Sequence, residues 1–118
     1  MRKPCVVNAL ERDQVTIEGG AQSRRVITKK EHGSKISLSI VYMEPGKGHK
    51  WHNHPDKDEV AIVIKGGGTF TYEIDNKRHE VQMKEMDAFF APAGCYHQFI
   101  NTTNEMTVVI AVLHPPLV

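Results

Sequence analysis

The sequence is short of cysteine, of long apolar runs and of excess charge of either sign. Its two cysteines, Cys5 and Cys95, are too few for a disulfide scaffold, so we expect reduced thiols and a cytoplasmic protein. The longest apolar segments are far shorter than a membrane-spanning helix, and the N-terminus lacks the apolar core of a signal peptide, so we expect no membrane partner. Fifteen basic residues nearly balance fourteen acidic ones, which gives no sign of a nucleic-acid partner.

The length and composition are typical of one globular domain that covers residues 1–118, with 40% hydrophobic and 25% charged residues. No stretch carries a long apolar stripe of helical period. Short β-branched segments alternate with turn residues instead, which predicts an all-β sandwich or barrel. The predicted strands are residues 24–29, 35–43, 49–54, 59–66, 68–74, 77–83, 88–92, 97–101 and 106–113.

The first 22 residues are polar and weakly patterned. We expect residues 1–22 to form an N-terminal arm that crosses to a partner subunit or is partly disordered. The β-barrel is expected over residues 24–114.

Histidines cluster in the stretch "GHKWHNHPDKDE", where the spacing predicts a metal site. Residues two apart on a strand face the same side, so His52 and His54 present their imidazoles together. A turn after His54 brings Glu59 back on the next strand, and His97 is a fourth candidate whose facing the spacing alone cannot show. Imidazole and carboxylate donors suit one borderline divalent metal (Mn, Fe, Co, Ni, Cu or Zn), and the lack of thiolates argues against a structural zinc site.

Two spaced motifs carry a resemblance to the cupins, a family of small β-barrels. The pattern G-x5-H-x-H-x4-E-x6-G is matched by Gly46, His52, His54, Glu59 and Gly66. The pattern G-x5-P-x-G-x2-H-x3-N is matched by Pro92, Gly94, His97 and Asn101, but Met86 replaces its leading glycine. Because methionine avoids positive φ, we expect Met86 to alter the backbone of that turn without affecting the metal.

The resemblance implies a double-stranded β-helix (jelly-roll, cupin barrel). By carry-over from the motifs, His52, His54, Glu59 and His97 are the metal ligands. Small single-domain cupins commonly dimerise, often by exchanging an N-terminal strand, so the resemblance also implies a homodimer that uses the arm of residues 1–22.

Several neighbours of the motif residues have an open role. His49 is expected to face away from His52, because their separation is odd. Lys50 shares the parity of the histidines and could reach the cavity, but we favour an exposed ammonium group that extends to water. Whether Tyr42, Tyr96 and His114 line the cavity is undecided.

The cavity is expected to be apolar. Its predicted walls are Ala61 and Val63, with Phe99 or Ile100, and Met43 and Met106 as adaptable additions; Trp51 and Phe99 are expected to be packing residues. The basic run from Arg24 to Lys35 is interpreted as a solvated face, so we assign no anion site to it.

These patterns favour a metal-dependent enzyme that acts on a small-molecule substrate. Similarity to oxalate oxidases, quercetinases and acireductone dioxygenases implies oxygen-dependent oxidation, of dioxygenase or oxidase type, at Mn or Fe. Glu59 would be the catalytic residue, able to leave the metal and take a proton. The alternatives are a non-redox isomerase, epimerase or lyase with the metal as Lewis acid, and a non-catalytic cupin that binds a small ligand.

Overall fold

The computed structural model describes residues 2–117 and consists almost entirely of β-strands. The strands are β1 (Gln14–Thr16), β2 (Gln22–Ile27), β3 (Ser37–Met43), β4 (Gly48–His52), β5 (Asp58–Lys65), β6 (Gly68–Ile74), β7 (Lys77–Met83), β8 (Ala88–Ala91), β9 (His97–Ile100) and β10 (Thr107–His114). A 3-10 helix covers Ala9–Glu11 and a single-turn helix, α1, covers Lys29–His32. The all-β prediction is confirmed, and most strands begin and end within two residues of the predicted positions.

The strands form two antiparallel sheets, as expected for a jelly-roll barrel. One sheet has the order β1-β2-β3-β10-β5-β8 and the other the order β4-β9-β6-β7. Strands that are distant in sequence therefore lie side by side. This arrangement brings β4 next to β9 and thus joins the two motifs.

The core lies between the sheets because alternate side chains of each strand point inward. In β10, Val109, Ala111 and Leu113 are buried, whereas the intervening residues are partly exposed. Phe70 of β6 stacks on Phe89 of β8 with 4.3 Å between ring centroids, so the aromatic layer connects the two sheets.

The turn between β7 and β8 keeps a left-handed backbone despite the missing glycine. Met86 has φ 71°, and its N–H donates to the Val63 carbonyl at 2.8 Å. The Asp87 carboxylate accepts from the Lys84 N–H at 2.9 Å and closes the same turn. The prediction that Met86 alters the backbone geometry is wrong, because these tertiary hydrogen bonds hold the strained conformation.

The N-terminal segment packs against the same chain. β1 pairs with β2, and Arg12 forms an ion pair with Glu31 at 2.9 Å. Neither β1 nor α1 is foreseen by the sequence patterns, since each is shorter than the period-based signal needs. None of the helices between residues 2 and 117 is both long and apolar enough to cross a membrane.

Candidate metal centre

Four side chains from three strands and one loop meet between the two sheets. His52, at the end of β4, and His97, at the start of β9, are direct cross-strand partners. Glu59 reaches them from β5 in the opposite sheet, and His54 lies in the loop just beyond β4. One ligand atom from each of these residues lies within 4.8 Å of the others.

Besides the pairing of β4 with β9, two loop contacts connect the two motifs at the site. The Gly94 N–H donates to the His54 carbonyl at 2.9 Å, and the Ala93 N–H donates to the Asp58 carboxylate at 2.9 Å. The turn before His97 is thereby attached to the turn between His54 and Glu59. This explains why His97 joins the histidines of the first motif, which sequence spacing could not decide.

Backbone carbonyls orient two of the imidazoles. The Nδ1–H of His52 donates to the Lys50 carbonyl, and the Nδ1–H of His97 donates to the Cys95 carbonyl at 2.9 Å. With Nδ1 as the donor, Nε2 of each ring points into the site. It presents a lone pair when the ring is neutral, and in His97 it donates to Glu59 when the ring is protonated. The His52 and His54 Nε2 atoms lie 3.2 Å apart.

Glu59 supplies a buried anion to this group of nitrogens. Its side chain is only 2% exposed, and Oε1 lies 3.1 Å from His97 Nε2 and 3.4 Å from His54 Nε2. Burial alone would raise the pKa of Glu59, but hydrogen bonds from His54 and His97 outweigh it and lower the pKa to about 2. The carboxylate is therefore ionised at neutral pH. The same contact and the Cys95 carbonyl raise the pKa of His97 against the opposing effect of burial.

The donor set fits a divalent transition metal. Within residues 2–117, the ion pairs of Glu59 involve histidines alone, so no lysine or arginine neutralises the buried carboxylate. A cation held between the Nε2 lone pairs and Oε1 would compensate that charge and explain why these atoms converge. Three imidazoles with one carboxylate are donors that Mn, Fe, Co, Ni, Cu and Zn accept.

A cavity of about 340 Å³ adjoins the four side chains. His52, His54 and Glu59 form one wall, and apolar side chains, among them Val41, Ala111 and Leu113, form much of the rest. This volume accommodates a small organic molecule beside the metal position.

Comparison with known proteins places the chain in a family. Residues 39–113 match the family model of the cupin domain. The chain belongs to the cupin family.

Curated relatives of this cupin include acireductone dioxygenases. The one from Leptospira biflexa is 37% identical over 79 residues, which cover 60% of this chain and 44% of the relative. The one from Pseudomonas savastanoi is 30% identical over 105 residues, covering 88% of this chain and 54% of the relative. This cupin thus spans about half the length of these curated relatives.

Solved structures share the fold at low sequence identity. A predicted oxalate decarboxylase from Thermotoga maritima superimposes with a TM-score of 0.81 at 23% identity, over 94% of this chain and 99% of that chain. A recombinant oxalate oxidase in complex with glycolate gives a TM-score of 0.76 at 18% identity, over 90% of this chain and 56% of that chain. At such identities the likeness establishes the cupin barrel alone.

His49 of this cupin points toward the site, and the prediction that it faces away is wrong. The pairing of β4 with β9 shifts register between His49 and His52, so a β-bulge interrupts the alternation. The His49 and His52 rings meet edge to face with 5.6 Å between their centroids. Burial, with help from neighbouring histidines, lowers the pKa of His49 to about 4, so its imidazole is neutral at physiological pH.

The side chain of Lys50 lies at the rim of the cavity. Lys50 is among the residues that line the cavity, but its side chain is 65% exposed and its ammonium lies 3.7 Å from the Glu18 carboxylate, so the group is solvated as favoured. The predicted strand 49–54 ends early, since β4 stops at His52. His54 therefore reaches the site from a loop rather than by strand alternation.

The three residues of undecided role lie outside the cavity lining. Tyr42 is on the outer face of β3, where its ring packs under the Arg24 guanidinium. Tyr96 is 44% exposed and stacks on Trp51, whose ring contributes to the cavity wall as well as to packing. His114 lines a separate surface pocket beside α1.

The predicted apolar walls are correct in part. Ala61, Met43 and Phe99 line a small inner pocket behind Glu59. Val63 is buried in the core, and Met106 is 40% exposed at the surface, so the proposal that Met106 forms a wall is wrong. Among the cavity residues that the sequence patterns miss is Arg25, which belongs to the basic run interpreted as a solvated face.

Proposed function

We propose that this cupin is a metal-dependent enzyme that catalyses oxygen-dependent oxidation, of dioxygenase or oxidase type, of a small organic substrate. The observation that carries the proposal is the convergence of three imidazoles and one ionised carboxylate on the wall of a cavity of substrate size. His52, His54, Glu59 and His97 would hold one divalent metal, with Mn or Fe favoured over Ni, Zn, Cu and Co.

A bound redox-active metal would supply Lewis acidity and electron transfer between substrate and dioxygen. The chain's own contribution is binding and proton handling. The apolar walls around Ala111 and Leu113 exclude water from the substrate, and the neutral His49 offers a hydrogen-bonding group beside the ligands. Glu59 is the one carboxylate among the four candidate ligands, so it is the group proposed to leave the metal and take a proton from the substrate.

The named activities of relatives support this class of reaction. Curated relatives include acireductone dioxygenases, and an oxalate oxidase is among the solved structures with the same fold. Both names describe oxygen-dependent chemistry. The proposal extends that chemistry to this shorter chain without assigning it their substrates.

A non-redox isomerase, epimerase or lyase is the second candidate. Cationic groups in the cavity favour it, because such enzymes hold charged substrates while the metal polarises a carbonyl. Arg25 is such a group. A non-catalytic cupin that binds a small ligand is the third possibility.

Oxygen uptake by metal-loaded protein tests the proposal. Purified chain is stripped with chelator, loaded with Mn, Fe or Zn, and mixed with panels of hydroxy acids, keto acids and enediols in an oxygen electrode. We expect uptake with Mn or Fe and none with Zn or with a His54→Ala variant. Retention of a redox-inactive metal alone under every growth condition would contradict oxidation and favour the isomerase or lyase class.

We further propose that the protein is a cytoplasmic homodimer. Free thiols at Cys5 and Cys95 support the compartment. The outer face of the six-stranded sheet supports self-association, because it is apolar where antiparallel sheets usually present polar side chains to water. Val60 is 46% exposed and pairs across strands with Phe90, which is 59% exposed.

Sedimentation velocity of the wild type and of Val60→Lys tests the dimer. We expect the wild type to sediment as a dimer and the variant as a monomer. An arm of residues 1–22 exchanged between subunits would make its β1–β2 contacts with the partner instead of within the chain. A dimer that survives Val60→Lys but is lost when the arm is removed would favour that exchange.

A further inference from the structure

Two neighbouring arginines on β2 face opposite sides of the sheet. Arg24 lies outside, with its guanidinium 5.6 Å from the centre of the Tyr42 ring. Arg25 points inward and lines the cavity that His52, His54 and Glu59 also line. Its register partner on β3 is Ser39, another lining residue.

Within the described residues 2–117, no carboxylate forms an ion pair with Arg25. Among residues 2–117, the carboxylates that form ion pairs do so with other basic groups, and the cavity's second cation, Lys50, is engaged by Glu18. A guanidinium remains charged at every physiological pH, and its planar fork matches a carboxylate in two parallel hydrogen bonds. An inward-facing arginine without a carboxylate partner is therefore suited to an anionic ligand.

From this geometry we infer that Arg25 binds a carboxylate of the organic substrate, and that the site selects small carboxylic acids. The single free charge matches a carboxylate better than a phosphate dianion. The hydroxyls of Ser23 and Ser39 flank Arg25 on the same wall and can donate to the second lone pairs of the anion. Val41, Ala111 and Leu113 provide an apolar surface for the carbon chain.

The inference rests on the proposed function only in placing the reacting end of the acid at the four candidate ligands. The carboxylate bound by Arg25 is the far end of the same molecule. The substrate is then a short acid with oxygen donors at one end and a carboxylate at the other. Its size is limited by the cavity of about 340 Å³.

Matched probe pairs test the inference without turnover. Zinc-loaded protein is titrated calorimetrically with malate, 2-hydroxyglutarate and 2-hydroxyadipate, and with the corresponding amides of the distal carboxyl group. Each pair shares the metal-chelating hydroxy acid and differs only at the distal end. We expect at least one acid of the series to bind about tenfold or more tightly than its amide, as a charge-assisted bidentate contact predicts.

The two arginines provide variant and control. Arg25→Gln is expected to reduce the acid-to-amide ratio to about one, and Arg25→Lys to restore it in part because the charge remains without the fork. Arg24→Gln, which removes the same charge from the outer face, is expected to leave the ratio unchanged. Thermal unfolding and zinc stoichiometry of each variant identify any loss that comes from misfolding or from an altered metal site.

The inference would be overturned if the wild type bound acid and amide equally in all three pairs. It would also be overturned if Arg25→Gln still bound the acid more tightly than the amide. The outcome is separable from that of the proposed oxidation. Arg25-dependent binding of an acid that no metal form oxidises would retain the subsite and reject the oxidation. Oxygen uptake with substrates that lack a carboxylate, unchanged in Arg25→Gln, would retain the oxidation and reject the carboxylate subsite.

Discussion

Asn101, the last residue of the second motif, is expected to be a major source of stability. Its side chain is fully buried and uses all four hydrogen-bonding positions. Nδ2 donates to the carbonyls of Met43 at 2.8 Å and Glu105 at 2.6 Å. Oδ1 accepts from the N–H of Thr103 at 2.9 Å and from its hydroxyl at 2.7 Å. The amide thereby connects the end of β3 to the loop that follows β9.

The cost of Asn101→Ala follows from the groups that lose a partner. In the variant, the Thr103 hydroxyl can still donate to the Glu105 carbonyl, which lies 3.1 Å away. The Met43 carbonyl and the Thr103 N–H lose their side-chain partner. At about 1–3 kcal/mol for each such group, the free energy of unfolding is expected to fall by about 2–6 kcal/mol. This is a large fraction of the roughly 5–15 kcal/mol that stabilises a typical domain.

Urea unfolding monitored by circular dichroism measures the change in the free energy of unfolding caused by Asn101→Ala. Chelator is present so that metal binding does not contribute to stability. Asn104→Ala, an exposed position in the same loop, is the matched control and should change stability by less than about 0.5 kcal/mol. Asn101→Asp should be as harmful as alanine, because it places an acceptor against two carbonyl oxygens. An Asn101→Ala variant within about 1 kcal/mol of the wild type would refute this reasoning.

Two turn positions give further predictions. Met86→Gly should raise the free energy of unfolding by about 1 kcal/mol, because φ 71° strains a residue that carries a side chain. Gly46→Ala should lower the free energy of unfolding by a similar amount, because alanine is strained at φ 81° although no atom lies within 4 Å of the new Cβ. Equal urea midpoints for the wild type and both variants would contradict this reasoning. A hydrogen bond from the Lys84 N–H lowers the pKa of Asp87 below its ordinary value. The ionised carboxylate therefore stabilises the fold at pH values above the unfolded-state pKa. This contribution is lost as the pH falls through the folded-state pKa. Asp87→Asn should therefore unfold at lower urea than the wild type at pH 7 but not at about pH 2, and a difference of the same size at both values would argue against the charge.

Much of the fold is predictable because strand periodicity is a local property. Alternating apolar residues in the segment that becomes β10 follow from a strand with one buried face. The candidate metal ligands could also be identified from the sequence, because His52, Glu59 and His97 occupy fixed positions in the two motifs. Their meeting depends on the pairing of β4 with β9, which no local pattern encodes.

The three wrong or missed predictions have different physical causes. A parity argument assumes an unbroken strand, and the β-bulge between His49 and His52 places His49 on the cavity wall. Arg25 was missed because alternation along a strand places adjacent arginines on opposite faces without showing which face meets the cavity. The pairing of β2 with β3 decides that. Met86 shows that the backbone of a turn can be imposed by tertiary hydrogen bonds against a residue's own preference.

The central claim is that His52, His54, Glu59 and His97 bind one metal ion. Its most direct test is the metal content of tag-free protein by mass spectrometry, with His54→Ala purified in parallel. The account predicts a near-stoichiometric divalent transition metal in the wild type, Mn or Fe if the oxidation proposal is right, and its loss in the variant. Wild-type protein that holds no metal, or a metal content unaffected by His54→Ala, would contradict it.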